Sequence, residues 1–199
     1  MDYQDVPAGV YGVYASDMGG ENPRVNVASV DLQAGMVYDI VVPGQLESNN
    51  LTFVPLMTSV AAPCSATLGV GEATDSCVRF IHTSADAGAV DIYVNDEIVV
   101  QAISYGTVTE FAALPNGEHQ VRVVAANQPV DDDNAWLDET ITFDEGRAYQ
   151  FAILGIAEDD DNGDNDLRLM QNDIDLSPLA DGQTRVRLVH AVSDGGSVD

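Results

Sequence analysis

The densest chemistry in this chain is the run Glu158-Asp-Asp-Asp-Asn-Gly-Asp-Asn-Asp166. Glu158, Asp160, Asn162, Asp164 and Asp166 place oxygen donors at alternate positions, and Gly163 allows a sharp bend. A hard cation such as calcium takes that kind of donor set. Position 169 is Leu, where a bidentate Glu usually closes such a loop. A solvated hairpin tip has the same composition, so a calcium loop and a site with no cofactor both stand as readings.

Histidine is the usual acid–base residue. His82 and His190 occupy equivalent places, in register with Val78 and Phe80 or with Val186 and Leu188. Such alternation puts each imidazole on an apolar strand face, which describes a core histidine bonded to backbone or to an Asp91-type carboxylate. Ser84, His82 and Asp86 supply the types of a hydrolytic triad. They lie within one turn, and no nucleophile elbow or oxyanion loop accompanies them. His119 is replaced by Tyr11 in the equivalent place, which suggests a surface residue. No phosphate loop, paired-cysteine metal signature or dinucleotide fingerprint occurs, so no catalytic residue is assigned and the chain is read as a non-enzyme.

Cys64 and Cys77 flank a segment rich in Gly, Ala, Ser and Thr. A zinc site would need further ligands, and only His82 is near in sequence. A disulfide is the better reading, and it places the chain in an oxidising, extracytoplasmic setting. Asn50-Leu-Thr52 is a glycosylation sequon in a polar stretch. Tyr3, Tyr11, Tyr14 and Trp136 could form a carbohydrate platform or pack a core.

Among 199 residues, 33 are acidic and 7 basic, for a formal charge of −26, and every basic residue is Arg. Phosphate binding needs cationic side chains, so nucleic acid is excluded as a partner. An acidic surface suits high salt, where screening relieves self-repulsion. No apolar run reaches the length of a membrane-spanning helix.

The elements that position these residues come in repeats. Val78-Arg-Phe-Ile-His82 returns as Val186-Arg-Leu-Val-His190, and Val90-Asp91 as Val198-Asp199. Tyr3-Gln-Asp-Val-Pro-Ala-Gly9 returns as Phe111-Ala-Ala-Leu-Pro-Asn-Gly117, at the same offset of 108 positions. Asp31–Val42 corresponds to Asp144–Ile153 at a slightly larger offset. The division that follows is residues 1–63, the back part of a first repeat; 64–77, a linker with the cysteine pair; 78–180, a complete repeat; and 184–199, the first strand of a third. Neither partial unit contains a counterpart of residues 92–108.

The complete repeat reads as short strands between turn signals. Val78–Thr83, Val90–Val94, Ile98–Val100, Val121–Ala125, Thr140–Phe143, Ala148–Leu154 and Leu167–Met170 are strand-like. Asn95-Asp96 suits a tight hairpin that needs left-handed backbone. No amphipathic helix competes, so the expected fold is all-β: tandem antiparallel β-sandwich (Ig-like) domains, one complete and the others partial.

These landmarks resemble the DUF4397 family, a bacterial and archaeal surface domain of unassigned function. Its opening pattern appears as Val78-Arg-Phe-Ile-His-Thr-Ser-Ala-Asp-Ala-Gly-Ala-Val-Asp-Ile-Tyr-Val-Asn-Asp96. Ser104-Tyr-Gly-Thr-Val108, Leu114-Pro-Asn-Gly117 and Gly146-Arg-Ala-Tyr149 are similar to it as well. Ala85 stands where the family has Pro. The resemblance implies an extracellular, repeat-bearing β-domain and carries over no catalytic residue.

The expectation is a structural module of an extracellular filament, surface layer or stalk at the cell surface. Its partners are copies of itself or adjacent repeats, joined head-to-tail, with Val186, Leu188 and His190 as the assembly strand. That strand either donates itself to a neighbouring copy or belongs to a longer array. The alternative is an adhesin-like module that holds a glycan or a surface protein through its loops.

Overall fold

The computed structural model describes residues 2–16, 23–44, 51–59, 63–131, 134–157 and 167–192. Among them the chain is nearly all β, and the contacts divide it into two units: residues 1–61 with 175–199, and residues 62–174. Among the described residues no helix is long and apolar enough to cross a membrane.

The second unit begins with one short helix, α1 (Cys64–Leu68), then runs through β6 (Ser76–His82), β7 (Val90–Val94), β8 (Glu97–Ile103), β9 (Ala112–Leu114), β10 (Gly117–Ala125), β11 (Leu137–Phe143), β12 (Ala148–Leu154) and β13 (Arg168–Ile174). They form two four-stranded sheets, β11-β10-β7-β8 and β13-β12-β6-β9. All pairs are antiparallel except β12 with β6, which run parallel. The β7–β8 turn holds Asn95 and Asp96 at φ 50° and 67°, as a two-residue hairpin of right-handed twist requires.

Alternation along each strand decides what meets between the sheets. Val78 and Phe80 of β6, Ile92 of β7, Val121 and Val123 of β10, and Phe151 of β12 form one buried cluster. Phe143 meets Phe151 edge-on with ring centroids 5.8 Å apart, a favoured aromatic geometry. Each large side chain so buried contributes about 1.5–3 kcal/mol.

The first unit contains β1 (Gln4–Pro7), β2 (Gly9–Ser16), β3 (Pro23–Leu32), β4 (Met36–Gly44), β5 (Val54–Ser59) and, from the far end of the chain, β14 (Gln183–Val192). One sheet is ordered β1-β14-β4-β5, and β2 and β3 pair separately. β14, whose sequence repeats that of β6, therefore sits in the first unit. Val37, Ile40, Val41, Leu56 and Val189 are among its buried apolar side chains.

Both units carry the same corner. The Tyr149 hydroxyl accepts from the Asp144 N–H at 3.0 Å, and the Tyr38 hydroxyl accepts from the Gln33 N–H at 3.0 Å. In each, a buried tyrosine five residues into the turn satisfies a backbone donor upstream, a device that recurs in immunoglobulin-like sandwiches. Burial raises the Tyr149 pKa.

Candidate assembly site

The seam around β14 is built from backbone first. β14 runs parallel to β4 with Val186 opposite Tyr38, and antiparallel to β1 with Val186 opposite Gln4. β6 runs parallel to β12 with Val78 opposite Tyr149, and antiparallel to β9 with Val78 opposite Ala112. These are the same positions of the repeat, so β14 fills the first unit in the register that β6 takes in the second. A slip of one residue would turn every side chain to the other face, and no slip has occurred.

Side chains reproduce the match on one face. Arg187 Nε donates to Asp39 Oδ1 at 2.8 Å, and its guanidinium lies 4.2 Å from the centre of the Tyr3 ring. The Tyr3 hydroxyl donates to the same carboxylate at 3.0 Å. In the second unit Arg79 Nε donates to Gln150 Oε1 at 2.9 Å, and its guanidinium lies 4.6 Å from the Phe111 ring. A cation over an aromatic face, closed by an in-plane acceptor, orients a guanidinium tightly.

Arg185 adds a second tie, donating to both Asp5 carboxylate oxygens at 2.7 and 3.1 Å and to Ser177 Oγ at 2.8 Å. The hydrogen bond it donates to Asp5 is the main reason its pKa is raised, with the Asp175 and Tyr3 charges adding to the effect against partial burial. Thr184 Oγ1 donates to the Met36 carbonyl at 2.8 Å.

On the other face the two units diverge. Val186, Leu188 and His190 occupy the positions of Val78, Phe80 and His82. Phe80 is 3% exposed, whereas Leu188 is 44% exposed. A groove of about 390 Å³ opens there, and Val6, Val13, Leu32, Ile40, Val186 and Leu188 are among the residues lining it.

Residues 76–199, more than half of the chain, match a family described as a domain of unknown function, DUF4397. The chain belongs to the DUF4397 family. No curated protein matches it significantly.

The other residues singled out in sequence fall in several places. Cys64 and Cys77 form a disulfide, with both residues buried in the second unit of this DUF4397 chain. It fastens α1 to β6, so it braces that unit's sheet. His82 is fully buried, and its Nε2 lies 2.6 Å from the Gly88 carbonyl, to which it donates. Burial lowers its pKa, against the Gly88 hydrogen bond and the Asp86 charge. The Ser84 hydroxyl donates to Asp86 at 2.9 Å, which secures the turn that follows β6.

Asp91 accepts from the Ala102 and Asn127 N–H groups at 2.7 and 2.8 Å. Those residues have φ of 51° and 65°, so this buried carboxylate pins two left-handed backbones. His119, expected at the surface, is buried instead. Its ring lies 5.3 Å from that of Phe143, Nε2 donates to the Pro115 carbonyl, and Nδ1 accepts from Asn95. Tyrosine at 11 gave no hint of that, because the ring packs on Phe143 of the neighbouring strand in the same sheet.

Glu158, Asp160, Asn162, Asp164, Asp166 and Asn50 lie outside the described residues. Among the described residues, no group of three acidic, histidine or cysteine side chains is placed to hold a metal. Trp136 and Tyr14 are partly or largely exposed, and they belong to different units. Sequence reading missed Arg187, Asp39 and Tyr3 as a set. The available signal was the Arg in both Val-Arg-x-x-His strands of a chain with only 7 basic residues.

Proposed function

We propose that this DUF4397 chain is a structural repeat module of an extracellular filament, surface layer or stalk, in which the first strand of one repeat completes the sheet of another. The single observation that carries the reading is the shared register: Val186 meets Tyr38 and Gln4 as Val78 meets Tyr149 and Ala112. A first strand is thus interchangeable between repeats, and the eight residues from 175 to 182 that precede β14 form the tether. The same contacts made between copies link them head-to-tail, because donor and acceptor surfaces differ. The disulfide and the charge of −26 support a setting outside the cell.

The test pairs two variants that each add one cysteine to the Cys64–Cys77 pair, Val6→Cys and Thr184→Cys, at positions that face each other in the β1–β14 register. Mixed at high concentration under mild oxidation, they should yield a covalent species joining the two chains, and larger assemblies should appear by light scattering. A mixture that stays monomeric at every concentration, with no cross-linked species, overturns the reading.

A further inference from the structure

β6 and β14 share a register, yet they differ in charge at one place that faces a partner strand. In β14 that place is Arg185, opposite Asp5 of β1; in β6 it is Cys77, opposite Ala113 of β9. The repeat offset of 108 positions makes Arg185 the counterpart of Cys77 and Asp5 the counterpart of Ala113. Two residues further on both strands carry arginine, Arg187 and Arg79, so that position selects nothing.

We infer that residue 185 determines the specificity of strand exchange: the first unit selects a first strand with arginine at this place over one with the cysteine that β6 carries. The inference rests on reading the chain as a repeat module and names the strand which that module accepts.

The first unit meets the arginine with several acceptors. Nε and Nη2 donate to the two Asp5 oxygens at 2.7 and 3.1 Å. Nη1 donates to the Ser177 hydroxyl at 2.8 Å and lies 3.0 Å from Asp175 Oδ2. A bidentate pair of this kind gives direction as well as charge, and a thiol at the same place forms none of these bonds.

The reverse exchange is opposed more strongly. In the second unit Arg185 would fall where Cys77 is fully buried and bonded to Cys64, opposite Ala113, whose side chain has no acceptor. A buried cation without a partner is a costly mismatch, and a mismatch of that kind is how one partner is refused in favour of another. The disulfide adds a second asymmetry. It ties β6 covalently to α1 of its own unit, whereas Asp5 and Asp39 hold β14 through ion pairs. The strand that can exchange without breaking a covalent bond is thus the one that carries the selecting charge.

The test moves that charge. Asp5→Arg is added to the Val6→Cys chain, and Arg185→Glu to the Thr184→Cys chain. Each chain is then mismatched within itself and matched to the other. Because the Asp5 side chain is 46% exposed, their mixture should cross-link about fivefold more than the mixture without the charge changes. Arg185→Glu chains mixed with Val6→Cys chains that keep Asp5 should fall below the swapped mixture by a similar factor. Equal yields in the three mixtures would overturn the inference. Within one chain, Asp5→Arg and Arg185→Glu should each lower the melting temperature, and the double variant should regain part of the loss. A double variant no more stable than Arg185→Glu by itself would overturn the inference too, and this comparison holds even if a single variant fails to fold. Rescue within one chain, with no cross-linking in any mixture, would remove the assembly reading alone. Cross-linking that ignores the charge changes would remove this inference alone.

Discussion

Arg187 and Asp39 form a buried ion pair 2.8 Å long between residues 148 positions apart. Its uncharged counterpart, Arg79 with Gln150 at 2.9 Å, sits at the same place in the other unit. The repeat therefore conserves the arginine and the geometry while one copy exchanges an amide for a carboxylate.

Removing Arg187 takes the cation away from a carboxylate that is 1% exposed, although the Tyr3 hydroxyl still donates to it. Arg187→Met should cost about 3–5 kcal/mol, the usual penalty for breaking a buried pair. Asp39→Gln recreates the Arg79–Gln150 contact and should cost much less. Chemical denaturation of both variants checks the ranking, and equal losses would show that the charge is not what matters.

His82 should make stability depend on pH. Its folded pKa is lowered by burial, so below the ordinary imidazole pKa of about 6.5 the unfolded chain takes up a proton that the folded one refuses. That contribution is fully present above pH of about 6.5 and is lost as the pH falls toward the folded pKa. His82→Gln should lower stability at neutral pH yet flatten its decline between about pH 7 and 5. Parallel melting curves for parent and variant would contradict this.

Gly71 has φ +68°, and a Cβ added there would lie 2.3 Å from Ala113 Cβ. Ala113 has no flexible end to move aside. Gly71→Ala should destabilise the second unit by about 2–4 kcal/mol, combining left-handed strain with overpacking. Gly106→Ala, with φ +75° and nothing within 4 Å of the added atom, tests the strain by itself and should cost less.

The Cys64–Cys77 bridge closes a loop of 13 residues, for which constraint of the unfolded chain predicts about 3 kcal/mol. Because both cysteines belong to the second unit, reduction should lower the unfolding midpoint of that unit and leave the first unchanged. Hydrogen exchange read separately for β4 and β12 separates the two, and equal loosening of both would refute it.

A chain of charge −26 repels itself. Raising NaCl from about 0.1 to 1 M shortens the screening length from about 10 to 3 Å, so the melting temperature should climb steeply over that range. A neutral osmolyte at equal osmolality is the control, and an equal rise with both would remove the electrostatic account.

The sequence by itself determined the class of fold, the family, the disulfide, and local features such as the Asn95-Asp96 turn. Each follows from short-range rules: period-two alternation, turn residues that tolerate left-handed backbone, and a pattern repeated at a constant offset. The offset even aligned Arg79 with Arg187 and Phe111 with Tyr3. Tertiary structure alone decided where β14 goes, because strand pairing between residues about 150 positions apart leaves no periodic trace in either segment. It also decided that His119 lies beneath Asn95 and against Phe143, and that Asp91 holds the backbones of Ala102 and Asn127. The open groove beside Leu188 belongs to the same class of fact. Leu188 and Phe80 are equivalent apolar residues in equivalent strands, yet Phe80 is 3% exposed and Leu188 44%, a difference that only packing across the sheet decides.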